Sequence, residues 1–175
     1  MLGPILEFAT GLDKEEKDMV KLFSAAALLL AMTFASTASA DPLQVNVTYS
    51  EAAQKKMEKT YGVREKAVIQ EMVERSLRES LGDRVARVDV VINDLTANRP
   101  TFKELGDKPG LSMQSFGIGG ADVSGKAFDA AGKLIGQASY DWTGDIIWAD
   151  TAWIWSDTDR TLSVFARKLA QAVPG

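Results

Sequence analysis

Four tryptophans, Trp142, Trp148, Trp153 and Trp155, fall close together and alternate with Asp141, Asp145, Asp150 and Asp157. Flat indole faces stack on the C–H faces of sugars or on apolar side chains, and carboxylates beside them accept hydroxyl hydrogens. Such a run suits a glycan- or partner-binding surface. The same rings also suit a core that covers a helix and a sheet edge. On a strand, Trp153 and Trp155 point to one side, which serves either role. A second candidate is the stretch from Arg99 to Gly120, where Arg99, Lys103 and Lys108 stand near Glu104 and Asp107. It reads as a binding loop or as a solvated loop of mixed charge.

What the chain lacks excludes more chemistry than its motifs offer. It has no His and no Cys. Ser-His-Asp triads, Cys-His dyads, His-ligated zinc and disulfides are therefore excluded. Carboxylate, Lys, Tyr, Ser and Thr chemistry remains. A glycan hydrolase built on carboxylates would need two acids converging in a cleft. Asp157-Thr-Asp159 has the spacing of a cation loop but lacks its glycine turn and later ligands, so helix capping explains it better. Gly117-Ile-Gly119-Gly120 lacks the flanking elements and the Lys-Ser/Thr of a phosphate loop, and reads as a tight bend feeding a strand. No metal and no cofactor are expected. Asn46-Val-Thr48 matches a glycosylation sequon, but it lies on an expected strand.

These residues need a scaffold. Leu43 to Tyr49 alternates apolar and polar, as a half-buried strand does. Ser50 is placed to cap a short helix over Glu51–Thr60, which Tyr61-Gly62 interrupts. Ile69, Met72, Val73 and Leu77, extended by Val68 and Leu81, predict an amphipathic helix over Arg64–Leu81 with Gly82 at its end. Glu65 is assigned to the polar face with Gln70, Glu71, Glu74, Arg75 and Arg78. Arg87–Ile92 predicts a strand, followed by an irregular stretch, Asn93–Gly120, with a short element near Thr101–Leu105. Ala121–Phe128 and Lys133–Trp142 predict a hairpin about Asp129-Ala-Ala-Gly132. Ile146–Trp155 predicts a further strand kinked at Asp150. Ser156 and Asp159 then open a helix striped by Leu162, Phe165, Ala166, Leu169 and Val173. The order β-α-β-loop-β-β-β-α predicts an α+β fold: an antiparallel sheet with two or three helices on one face.

The N-terminal region predicts export. From Met19, Lys21 precedes an apolar run from Leu22 to Ala35, and Ala38-Ser39-Ala40 is a small-x-small cleavage site before Asp41. The run is short for a transmembrane helix. Residues 19–40 are expected to be a signal peptide cut between Ala40 and Asp41, leaving no stable membrane anchor. Residues 1–18, acidic where a signal is basic, read as an upstream extension of that start. The remaining 135 residues are the size of one domain. They carry 17 basic and 19 acidic side chains. That balance argues against nucleic acid as a partner.

Two segments carry a resemblance. Leu111–Gly125 with Asp129–Gly136, and Trp155–Ala170, resemble small uncharacterised proteobacterial periplasmic proteins, some of them lipoproteins. The resemblance spans roughly residues 85–170. It implies a periplasmic α+β domain and carries over no catalytic residue. The absence of a Cys after the apolar run departs from the lipoprotein members and implies an unlipidated protein. The expected role is binding, without catalysis, to an envelope protein or glycan; the alternative is a carboxylate-dependent hydrolase of an envelope glycan.

Overall fold

The computed structural model describes residues 43–145 and 152–174. The expected signal peptide, its cleavage site at Ala40 and Asp41, and the candidates Trp148 and Asp150 lie outside them. The described elements are β1 (Gln44–Tyr49), α1 (Glu51–Lys56) continued by a π-helical turn (Met57–Tyr61), α2 (Arg64–Leu81), β2 (Arg87–Thr96), α3 (Phe102–Asp107), β3 (Gly120–Phe128), β4 (Leu134–Thr143) and α4 (Ser156–Ala172). The fold is α+β, with one four-stranded sheet in the order β1-β2-β3-β4.

The sheet is mixed, which corrects the expectation of an antiparallel one. β1 and β2 pair in parallel; β2–β3 and β3–β4 pair antiparallel. The cause is the connection. Two helices between β1 and β2 carry the chain back to the end where β1 began, so β2 repeats its direction. The expected strand over Ile146–Trp155 is also corrected where it is described: Ala152–Trp155 is a turn leading into α4, not a strand.

Local chemistry sets the element ends. Ser50 caps α1, accepting from the Ala53 amide at 3.1 Å while donating to the Asn93 carbonyl at 2.6 Å. Thr101 and Glu104 form a reciprocal capping box on α3. Asp129 and Gly132, with φ of 78°, close the β3–β4 turn. Ser156 does not cap α4 as expected. Its hydroxyl accepts from the Trp153 amide at 2.7 Å, and Trp155 occupies the cap position.

The core lies between one sheet face and the pair α2 and α4, which pack side by side. Val88, Val90 and Ile92 point into it, and a bulge between Ile92 and Asp94 lets Leu95 rejoin them. Leu162, Phe165, Ala166, Leu169 and Val173 are all buried, as their spacing predicts. The opposite sheet face is polar, with Asn46, Asp89, Lys126 and Gln137 in one cross-strand row. Among the described residues, no helix is long and apolar enough to cross a membrane.

Candidate functional site

The strands β1 and β2 end, and β3 begins, on the side where α2 and α4 start. Two neighbouring structures there share the first turn of α4. One is closed and polar; the other is open and apolar.

The closed one centres on Asn98, which is buried. Its amide donates to Asp157 Oδ2 at 2.6 Å and its carbonyl oxygen accepts from the Asp157 amide at 2.9 Å. The Gly119 amide also donates to Asp157 Oδ2, at 3.1 Å. Gly119 and Gly144 are required here by close approach: a Cβ on the first would overlap the Asn98 side chain, and on the second the Asp157 carboxylate. Thr158 adds a bond to the Gly120 carbonyl at 3.1 Å. This knot ties the end of β2, the approach to β3, the end of β4 and the start of α4. Asp157 is thereby committed to it, and Asp159 pairs with Arg75 at 2.6 Å.

The open structure is a groove of about 770 Å³ along α2, walled by α3 and by the segment entering α4. Arg64, Val68, Met72 and Arg75 recur at three- and four-residue steps and form its floor and rim. Val68, expected in the core, is 42% exposed here. Phe102, the first residue of α3, and Trp153 stand on the other side, 69% and 81% exposed.

Trp153 is exposed on a backbone that is held at every residue. Arg99 donates to the Ala152 carbonyl, the Ser156 hydroxyl accepts from the Trp153 backbone amide, and the Asn98 backbone amide donates to the Ile154 carbonyl at 2.7 Å. The Trp155 carbonyl accepts from the Asp159 amide at 2.8 Å. Trp155 itself is 5% exposed. Its indole donates to Glu65 Oε2 at 2.7 Å, and its ring meets Tyr61 edge-on, with centroids 5.0 Å apart. The π-helical turn delivers Tyr61 to that contact, and burial pushes the Tyr61 phenol above its ordinary pKa.

The expected tryptophan–aspartate surface is therefore distributed among the described residues. Trp153 and Trp155 do not share a face; without a strand, one is in solvent and the other in the core. Trp142 is half-buried beneath the Arg160 guanidinium, 4.9 Å from its ring centroid. Asp141 is exposed beside it in β4, opposite Asp122 across the strands, and Asp145 is exposed just after β4. Arg99 holds two loop carbonyls, those of Ala152 and Met113, the latter at 2.9 Å. Of the described tryptophans, Trp153 and Trp155 meet at the groove and Trp142 does not.

Glu65 is the correction that matters most. Assigned to the polar face of α2, it is 9% exposed beneath the groove. Its place four residues before Ile69 is the signal that puts it on the inner side of the helix. Phe102 and Asn98 left no comparable periodic signal. Compared with protein-family models, curated proteins and solved structures, the chain matches none.

Proposed function

We propose that Asp41–Gly175 is an exported, periplasmic binding protein of the cell envelope that holds a protein partner in the groove between α2, α3 and the segment entering α4. The observation that carries this reading is Trp153: a large ring in solvent, on a backbone fixed at each neighbouring residue, lining the same groove as the exposed Phe102. Exposed aromatic anchors on a pinned frame lose little freedom on binding, and large exposed apolar patches are uncommon on proteins that bind nothing. Val68, Met72 and Ile154 make the walls apolar, which favours an apolar protein segment over a glycan. Of the two acids that line the groove, Asp159 is paired with Arg75 and Glu65 takes the Trp155 indole on one oxygen, so two free acids do not converge there, which favours binding over carboxylate hydrolysis of a glycan. The resemblance to small periplasmic proteins, and the small-x-small site at Ala38–Ala40, support the same location.

The test places a photoreactive side chain at Phe102 or, on the polar sheet face, at Lys126, and irradiates living cells. Protein adducts are expected from position 102 and not from 126, in the osmotic-shock fraction, on a chain whose N-terminus is Asp41. Equal adducts from both positions, or adducts from 126 alone, would remove the groove from consideration. A chain retained in the membrane fraction with Met19 intact would contradict export.

A further inference from the structure

We infer that the occupant of the groove is a peptide segment in which a single lysine or arginine is set among apolar residues; this rests on the groove being the binding site. The groove follows α2 from Arg64 to Arg75. At 1.5 Å per residue that is about 16 Å of helix, the length of about five extended residues. A segment of that length fits the opening better than one side chain does.

The charge of the groove selects the rest. Glu65 is nearly buried at its base, and only its Oε2 is used, by the Trp155 indole. Its Oε1 takes no hydrogen bond from a described residue. A carboxylate oxygen left without a donor beside apolar walls is a strong acceptor for an ammonium or guanidinium. The aromatic rings of Trp153 and Phe102 also line the groove, and the faces of such rings attract a cation electrostatically. The long aliphatic stem of Lys or Arg packs on Val68 and Met72 on the way in. One cation is the limit. Arg75 is already neutralised by Asp159, while Arg64 at the rim has no acidic partner among the described residues. A second basic residue next to the first meets that uncompensated charge.

A display library of random short peptides, selected on the purified domain, tests this. Enriched sequences are expected to hold one Lys or Arg flanked by aromatic or aliphatic residues, and not clusters of basic residues. For a selected peptide, replacing the basic residue by norleucine is expected to weaken binding roughly tenfold, the worth of one charge-assisted hydrogen bond. In Glu65→Gln, whose amide oxygen still accepts from Trp155, the native and norleucine peptides are expected to bind alike. The peptide comparison on the unaltered protein stands even where that variant folds poorly. Groove-dependent binders without a basic residue, or with no loss on the norleucine change, overturn this inference and leave the groove as a binding site. Binders indifferent to Trp153→Ala overturn both.

Discussion

The two structures at the start of α4 use neighbouring residues to opposite ends. Around Asn98 and Asp157 the groups that meet are polar and bonded to one another, and two glycines let the backbones close in. Around Trp153 and Phe102 the groups are apolar and uncovered, although the backbone beneath them is equally well held. The first arrangement spends its chemistry inside the protein and leaves nothing to offer. The second is rigid but unsaturated. The contrast separates what keeps this end of the domain in shape from what it presents to other molecules.

Substitutions sharpen that contrast in order of size. Phe165→Ala, in the core stripe of the helix that both structures share, is expected to cost about 3–5 kcal/mol, read as a fall in the denaturation midpoint. Asn98→Ala strips the Asp157 amide of its acceptor and the Asp157 carboxylate of a donor, and should cost about 2–3 kcal/mol by the same measurement. A loss below about 0.5 kcal/mol at Asn98 would show that the knot is incidental. Trp155→Phe keeps the ring against Tyr61 but leaves the Glu65 carboxyl without its indole donor. It should cost about 1–3 kcal/mol, with part of that recovered in the double change with Glu65→Leu.

A smaller, pH-dependent effect belongs to the far side of α2. Burial pushes the Tyr49 phenol from 10.0 up to about 12. The unfolded chain therefore loses this proton before the folded protein does. Stability is expected to be unaffected by Tyr49 below pH 10 and to decline from there towards 12. Denaturation midpoints of Tyr49→Phe across that window should decline less steeply than those of the native protein. Parallel curves would remove Tyr49 as the cause.

Much of the scaffold is legible in the sequence because its periodicities are strong. The 3.6-residue stripe of α2 ends at Gly82 as expected, and the β3–β4 hairpin turns where Asp129 and Gly132 require. The direction of β1 relative to β2 follows from connection length rather than from any residue pattern, and the alternation in β2 gives no hint of it. The site is less legible. Strand-like composition near Trp153 and Trp155 suggests a common face, yet the fate of each ring is decided by partners far away in sequence: Glu65 and Tyr61 for one, none among the described residues for the other. Val68 and Glu65 stand three residues apart on one helix, and the sequence assigns each to the wrong side. A helix that packs on a sheet and also borders a groove has two apolar sectors, and a single-stripe reading merges them. Asn98 sits in a stretch without periodicity, and the sequence hint of its close packing is Gly119, where a Cβ would overlap the Asn98 side chain.

Trp153 is expected to be dispensable for folding and necessary for binding. The most direct measurement is thermal unfolding of the native domain and of Trp153→Ala, each with and without a peptide selected on the groove. The native midpoint should rise with peptide, as binding to the folded state alone requires. Trp153→Ala should melt with the native domain when free, within about 0.5 kcal/mol in stability, and should show no rise when peptide is added. A free variant destabilised by several kcal/mol would place Trp153 in the core, and a variant that gains as much from the peptide as the native domain does would remove Trp153 from the binding site.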